Sequence, residues 1–195
     1  MDKTLYIIAG ANGSGKSTLA SKLLPAEKIS AFINADDIAR EMNPDDLTAV
    51  RIAAGKKTLQ RLTDCISNGE SFAIESTLSG NALIKTIRQA KENGYRIVLF
   101  YIFLPTPHMC IDRIQVRVKR GGHFVPDADV IRRYERSIPN FWHRYKALAD
   151  QWTLYYTGRI SDSGEASYVL VAKFDKGTLD ISDKELYDLF IQKAK

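Results

Sequence analysis

Residues 10–17 read Gly-Ala-Asn-Gly-Ser-Gly-Lys-Ser, which fits the pattern G-x-x-x-x-G-K-[ST] at every position. A short apolar run from Thr4 to Ala9 precedes this stretch, and a segment of helical character from Lys16 to Leu24 follows it. The glycines let backbone N–H groups approach phosphate oxygens closely, and the start of the helix adds its own free N–H groups. The stretch therefore predicts a phosphate-binding loop between a buried strand and a helix.

The side chains of this loop indicate how a nucleoside triphosphate would be held. Lys16 would place its ammonium group against the β- and γ-phosphates, and Ser17 would offer its hydroxyl to Mg²⁺. We therefore expect ATP and Mg²⁺ as cofactors, with Ser17 as a metal ligand. The predicted cofactor-binding set is Gly10, Asn12, Gly13, Ser14, Gly15, Lys16, Ser17 and Thr18.

Strand and helix patterns alternate through the first two-thirds of the chain. Strands are expected at 4–9, 29–33, 71–74, 96–104, 152–156 and 168–174. Helices are expected at 16–24, 44–68, 81–93, 107–120, 127–149 and 184–193, with a short one ending at Met42. Because the early strands are continuously apolar, the pattern predicts an α/β fold whose mostly parallel sheet has helices on both faces.

Several residues predict where these elements begin, bend or end. Asn43 and Pro44 are typical of the N-cap and first position of a helix, and Ser182 is expected to cap the last helix. Pro139 is expected to bend or break the helix over 127–149. The segment from Gly158 to Gly164 is rich in turn residues.

The length of 195 residues predicts one domain, residues 1–195, with a lid and substrate-side helices at about 107–149. The most apolar stretch, Ile97 to Leu104, is too short to cross a bilayer, and the N-terminus does not resemble a signal peptide. Cys65 and Cys110 lack the paired spacing of a zinc site, and two lone cysteines indicate a cytoplasmic protein.

The net charge of +5 is concentrated in one segment. Between Arg113 and Lys146 there are nine Lys and Arg residues against three Asp and Glu residues. Such a patch suits an anionic partner, although a solvated helix face would have the same composition. Since no nucleic-acid-binding motif accompanies the patch, we expect phosphates rather than nucleic acid.

Motifs that are missing narrow the class of nucleotide-binding protein. The chain lacks the N/T-K-x-D motif of GTPases, and its third strand ends in Ile74-Glu75 rather than in the Asp or Asp-Glu of a motor ATPase. The sequence therefore favours a small enzyme that transfers a phosphoryl group to a second substrate.

Acidic residues follow two of the predicted strands. Asp36 and Asp37 come directly after the second strand, at the sheet edge where ligands bind in open α/β folds. We expect Asp36 to be the base at the acceptor hydroxyl and Asp37 to cap the short helix. Glu75 would bind a substrate hydroxyl or the water shell of the metal, and Thr77 would donate to substrate; Ser79 or Asn81 could instead simply cap the next helix.

Arginines in the basic segment predict a lid. Arg113, Arg117 and Arg120 share one helix face and precede Gly121-Gly122, which could act as a hinge. Such a face would stabilise charge on the transferring phosphoryl group, with Arg120 as the first choice. The sequence assigns no role to Arg132, Arg133 and Arg136, and it favours a hydrogen-bonding role in the lid loop for His123.

Taken together, these blocks resemble the zeta-toxin family of P-loop kinases, especially its short bacterial members. The resemblance rests on Ala9 to Thr18, on Asn34-Ala35-Asp36, on Glu75 to Gly80, and on Arg117 to Pro126 with Ile131 to Tyr134, in the order of the family. It implies a three-layer P-loop kinase fold with a helical, arginine-bearing lid.

The resemblance also implies an activity, namely ATP-dependent phosphorylation of a sugar hydroxyl of UDP-N-acetylglucosamine. Lys16 and Ser17 would hold ATP and Mg²⁺, and Asp36 would be the base. Glu75 and Thr77 would contact the substrate, with Arg117 beside them, and Arg113 and Arg120 would steady the phosphates. An antitoxin protein would be a possible partner.

Two other functions fit the same residues. The stretch from Arg120 to Phe124 is similar to the lid of gluconate-kinase-like enzymes, which phosphorylate small metabolites. A regulator that binds ATP without turnover is the other alternative, although Lys16, Asp36 and the lid arginines argue against it.

Overall fold

In the computed structural model, which describes residues 3–159 and 167–195, seven strands form one sheet. They are β1 (Thr4–Gly10), β2 (Ala31–Asn34), β3 (Phe72–Ser76), β4 (Arg96–Phe103), β5 (Gln151–Tyr156), β6 (Val169–Asp175) and β7 (Thr178–Ile181). Their order across the sheet is β2-β3-β1-β4-β5-β6-β7. The first five strands of this order are parallel to one another, and β6 and β7 are antiparallel to their neighbours.

The helices cover both faces of the sheet. They are α1 (Lys16–Leu23), α2 (Ala35–Met42), α3 (Leu47–Asn68), α4 (Ala82–Glu92), α5 (Pro107–Lys119), α6 (Asp127–Asn140) and α7 (Lys184–Ala194). Leu19 and Ala20 of α1 pack with Ile8 and Ile102 on one face. The other helices contribute to a larger core on the opposite face, which confirms the α/β fold with three layers.

The continuously apolar strands are buried on both sides. In β4, Ile97, Leu99 and Tyr101 point into the larger core, whereas Ile102 belongs to the smaller cluster under α1. Because side chains alternate along a strand, a run without polar residues is stable only where both faces are covered. This confirms the prediction of a strand over 96–104, which spans Arg96–Phe103 in the structure.

The starts of two helices differ from the predictions. The long helix begins at Leu47 rather than at Pro44. The side chain of Asn43 accepts hydrogen bonds from the N–H groups of Asp45 and Asp46, which lie before the helix. The side chain of Asp46 then accepts the N–H of Ala49 in the first turn. Asp183, not Ser182, caps α7 by accepting the N–H of Leu186 at 3.0 Å.

The sequence does not predict strand β7. Its four residues follow β6 after a tight turn at Lys176 and Gly177. The expected turn-rich segment from 158 to 164 lies mostly outside the described residues.

The sequence predicts a bend or break at Pro139, and the regular α-helix α6 ends one residue later. The helix continues to Asn140 and then widens into one π-helical turn over Phe141–Tyr145, followed by a short 3₁₀ turn over Lys146–Leu148. Proline has no N–H for the carbonyl four residues before it, and both prolines and π-helical turns are recognised causes of a kink in a helix.

The parallel strands set the position of the site. Strand β1 leads into the glycine-rich loop, and β2 leads into the helix that carries Asp36. Glu75 and Ser76 are the last two residues of β3. In the register of the sheet, Glu75 is paired with both Ile8 and Asn34. Within the part of the chain that the structure describes, no helix is long and apolar enough to cross a membrane.

Candidate active site

The glycine-rich loop has a backbone that side chains larger than hydrogen would disturb. Gly10 has φ 145° and Gly13 has φ 79°. A Cβ atom at Gly10 would lie 2.3 Å from the carbonyl oxygen of Ile102, and one at Gly13 would lie 2.4 Å from that of Cys110. The loop therefore passes close to β4 and α5, as its glycine pattern requires.

Side chains from distant parts of the chain hold the loop in place. Thr157, just after β5, donates its hydroxyl to the carbonyl of Ser14 at 3.0 Å, and the hydroxyl of Tyr168 donates to the carbonyl of Gly15 at 2.7 Å. From α6, Arg133 donates to Oδ1 of Asn12 at 3.1 Å. No local sequence pattern indicates the roles of Thr157, Tyr168 and Arg133, because these contacts join residues that are distant in the chain.

Lys16, Ser17 and Glu75 form one polar cluster at the start of α1. Lys16 is only 7% exposed; its Nζ donates to the carbonyl of Ala11 at 3.0 Å and lies 3.6 Å from Oε1 of Glu75. Ser17 donates its hydroxyl to Oε2 of Glu75 at 2.7 Å. Glu75 therefore faces the two loop residues that the sequence assigns to phosphate and metal.

Asp36 lies in the first turn of α2 because Asn34 caps that helix. The side chain of Asn34 accepts the N–H of Asp36 at 2.9 Å. The prediction that Asp37 is the cap was wrong, since Asp37 instead accepts a hydrogen bond from Arg40 at 2.9 Å. The capping geometry leaves the Asp36 side chain 47% exposed toward the cavity.

Two of the three predicted lid arginines point into the site. Arg113 donates to the carbonyl and, at 3.2 Å, to the hydroxyl of Thr157, and Arg117 donates to the carbonyl of His123 at 2.9 Å. Burial lowers the pKa of both guanidinium groups from the ordinary value for arginine, although not enough to discharge them at neutral pH.

Arg120 and Thr77 do not line the cavity that holds Lys16, Asp36 and Glu75. Helix α5 ends at Lys119 and the chain turns at Gly121, which has φ 84°, so Arg120 is exposed and does not continue the face of Arg113. The backbone carbonyl of Thr77 accepts a hydrogen bond from the hydroxyl of Ser137 at 2.5 Å. The side-chain hydroxyl of Thr77 is hydrogen-bonded to the hydroxyl of Ser79 at 2.9 Å. Both positions differ from the sequence-based expectation.

Most of the other predicted site residues line one cavity of about 580 Å³, although Gly10 and Ser14 of the loop do not line it. Its floor is the loop with Lys16 and Ser17, and its walls come from β2, β3, α2 and α5. The lining includes Asn12, Gly13, Gly15, Lys16, Ser17, Thr18, Asp36, Glu75, Arg113 and Arg117, together with Gly121, Gly122 and His123 of the loop after α5. A cavity of this size holds a nucleotide-sized ligand.

The oxygen donors in this cavity fit a magnesium ion. Ser17 and Glu75 present a hydroxyl and a carboxylate side by side, and these hard ligands are the kind that Mg²⁺ takes from proteins. Among the described residues there is no cluster of three or more His, Cys, Asp or Glu side chains that could form an all-protein metal site. Mg²⁺ usually completes its shell with water and substrate phosphates.

Comparisons with known proteins agree with this architecture. Among solved structures, the fold is similar to a chain in the crystal structure of AvrRxo1-ORF1:-ORF2 with ATP, with a TM-score of 0.77 and 19% identity over 96% of this chain. It is also similar to a chain of the PezAT chromosomal toxin-antitoxin system of Streptococcus pneumoniae, with a TM-score of 0.63 and 17% identity, covering 98% of this chain and 86% of that one. The chain spans 63% of the length of the AvrRxo1 chain.

At these identities, the structural likeness establishes the fold alone. In sequence, residues 5–139 match the model of a family described as an AAA domain. An uncharacterized protein of Haemophilus influenzae is 38% identical over 134 residues, which make up 69% of this chain and 94% of that protein. The chain therefore belongs to this AAA domain family and has a P-loop kinase-like fold.

Proposed function

We propose that this protein is an ATP- and Mg²⁺-dependent kinase that transfers the γ-phosphoryl group of ATP to a hydroxyl of a small molecule. The observation that carries the proposal is that Asp36 lines the same cavity as Lys16 and the phosphate loop. Phosphoryl transfer needs a phosphate-binding loop and an acceptor-side carboxylate within reach of one pair of substrates. The family match and the fold support the same reaction class.

The side chains of the cavity suggest how the reaction would proceed. Lys16 and the loop N–H groups would hold the β- and γ-phosphates, while Arg113 and Arg117 would stabilise charge on the migrating group. The acceptor oxygen would bond to the γ-phosphorus as the bridging bond to ADP breaks. Asp36 would take the proton that the acceptor hydroxyl loses.

Ser17 and Glu75 are the residues that would hold Mg²⁺. When bound, the ion would neutralise phosphate charge and orient the transferring group. Binding of a triphosphate would give Lys16 a new anionic partner in place of the 3.6 Å contact with Glu75. The Glu75 carboxylate would then be available to the metal or its water shell.

For the acceptor, we propose a sugar nucleotide such as UDP-N-acetylglucosamine, following the resemblance to zeta toxins. Arg40 and Arg117 line the cavity on the side of Asp36. Guanidinium groups there suit an acceptor that carries its own phosphate groups. Glu75 and Arg117 remain in reach of such a substrate, whereas Thr77 would need the surrounding turn to move.

A protein partner is part of this proposal. The similar structures come from AvrRxo1-ORF1:-ORF2 and from the PezAT toxin-antitoxin system, each of which has two components. We propose an antitoxin-like protein that binds this chain, and a cytoplasmic location, which the free cysteines Cys65 and Cys110 support.

Mass spectrometry of a metabolite extract incubated with the protein, ATP and Mg²⁺ tests the proposed function. A new species heavier by one phosphoryl group than UDP-N-acetylglucosamine would support both the reaction and the acceptor. A phosphorylated sugar acid would instead support a gluconate-kinase-like acceptor. Tight ATP binding without any phosphorylated product would contradict the kinase and indicate a regulator.

Variants of two residues connect that product to the site. Asp36→Asn should keep ATP affinity within about threefold but lower turnover by about 10²–10⁴-fold, because it removes the base. Lys16→Ala should weaken both ATP binding and turnover. Asp37→Asn is the matched comparison, since it makes the same change one residue away; equal losses at both positions would argue against Asp36 as the base.

A further inference from the structure

The loop that joins α5 to α6 places His123 beside the proposed base. Nε2 of His123 lies 3.6 Å from Oδ2 of Asp36, and the two side chains are 20% and 47% exposed. This distance exceeds that of a hydrogen bond by a few tenths of an ångström. A small movement of the loop would therefore bring the imidazole into hydrogen-bonding contact with the carboxylate.

Arg117 holds this loop in position. Its guanidinium donates to the carbonyl of His123 at 2.9 Å. Its aliphatic stem packs against Gly122, where a Cβ atom would lie 2.4 Å from Cγ of Arg117. The residue that lines the cavity from α5 is thus also the one that supports the backbone beneath His123.

The charges around His123 favour a neutral imidazole. Burial lowers its pKa from the ordinary value, the positive charges of Arg117 and Arg40 lower it further, and Asp36 and Asp37 act in the opposite direction. A neutral imidazole has one N–H group, and Nε2 is the nitrogen close to Asp36. Nη2 of Arg117 also lies 3.5 Å from Nε2 of His123, and a guanidinium group can only donate. An N–H at Nε2 therefore requires that closure of the loop moves this nitrogen away from Arg117 and toward the carboxylate of Asp36, to which it would donate without adding a charge to the site.

We propose that His123 is a positioning residue, which donates a hydrogen bond to Oδ2 of Asp36 when the loop closes over bound substrates. The proposal rests on the proposed kinase function. Oδ2 would be fixed by the imidazole, so that Oδ1 takes the proton of the acceptor hydroxyl while His123 keeps its own proton. Closure of the loop would thereby orient the base only when substrates are in place.

A pair of variants tests the need for an N–H donor at this position. His123→Gln keeps a donor of similar reach, whereas His123→Met has similar length and no donor. Both keep the backbone carbonyl that accepts from Arg117. With the acceptor found in the metabolite screen, we expect His123→Gln to keep kcat within about fivefold and His123→Met to lower kcat by about 10–100-fold, the range typical of residues that orient a catalytic group.

The KM for ATP should stay within about twofold in both variants, because His123 does not belong to the phosphate loop. In an Asp36→Asn background, His123→Met should lower kcat little further, because the carboxylate that His123 would orient is absent. Equal losses of kcat in the Gln and Met variants would overturn the proposal and leave His123 with a role in loop folding.

NMR titration tests the pairing in the free protein and does not depend on turnover. The signals of His108, His123 and His143 would be followed with pH, and the one missing in His123→Gln assigned to His123. Asp36→Asn should move the midpoint of His123 to lower pH, because it removes a charge that favours the protonated ring. An unchanged midpoint would overturn the pairing, whereas a wild-type protein that forms no phosphorylated product would overturn the proposed function and leave this result standing.

Discussion

Glu75 connects the two loop residues that would handle phosphate and metal. Its carboxylate accepts the hydroxyl of Ser17 and lies 3.6 Å from the ammonium of Lys16, in surroundings that are largely buried. A buried carboxylate without cationic partners is costly, so Lys16 stabilises Glu75 in the free protein. A triphosphate would compete with Glu75 for Lys16, but a metal ion on Ser17 would restore a favourable partner for the carboxylate.

The change Glu75→Gln tests this interpretation, because it keeps the shape of the side chain and removes its charge. We expect the gain in ATP affinity that Mg²⁺ provides to shrink about tenfold and kcat to fall about 10–100-fold, as is typical when a group that supports a metal is removed. Isothermal titration calorimetry with ATP, with Mg²⁺ or with EDTA, measures the first effect. A Mg²⁺ dependence equal to that of the wild type would show that Glu75 does not serve the metal.

At the scale of elements, α2 sets the place of Asp36, the proposed base. Its N-cap, Asn34, ends β2 and accepts the N–H of Asp36, so one residue joins the sheet to the helix start. The capped first turn fixes the backbone from which the Asp36 side chain projects. The quality of this cap should therefore affect both the stability of the protein and its turnover.

Replacing Asn34 with alanine should lower the free energy of unfolding by about 1 kcal/mol, the usual loss for an N-cap. Because the first turn would also loosen, we expect kcat to fall about tenfold, with ATP affinity nearly unchanged. Asn34→Asp, which can still cap, is the control and should stay within a few tenths of a kcal/mol. Denaturant unfolding and steady-state kinetics measure the two effects. A variant that lost stability but kept its turnover would show that the cap does not position Asp36.

At the scale of the whole molecule, the sequence predicted what depends on neighbouring residues. The loop over 10–17 and the apolar strands are local patterns, and the parallel arrangement then places Asp36 and Glu75 at one edge. Contacts between distant residues have no such signal. The bond from Arg133 to Asn12 joins residues 121 positions apart, and the turn after α5 carries Arg120 out of the cavity although its spacing matches that of Arg113.

The carboxyl end of β5 supports the phosphate loop, although β5 is not adjacent to β1 in the sheet. Thr157 is fully buried, donates to the carbonyl of Ser14 at 3.0 Å and accepts from Arg113 at 3.2 Å. One hydroxyl thus joins the phosphate loop to the lid helix α5. The adjacent strands β1, β4 and β5 must be in register for this contact to form, because β5 reaches β1 only through β4.

We expect Thr157→Val, which keeps the shape of the side chain, to lower the free energy of unfolding by about 1–3 kcal/mol, since it leaves a buried carbonyl without its partner. ATP affinity should fall about tenfold, because the loop and Arg113 would lose their common support. The control is Thr153→Val, within β5. It removes a buried hydroxyl that forms no hydrogen bond to the phosphate loop among the described residues. Denaturant unfolding and calorimetry with ATP would measure both effects. If the two valine variants bound ATP equally well, β5 would contribute to the fold of the sheet but not to the geometry of the loop.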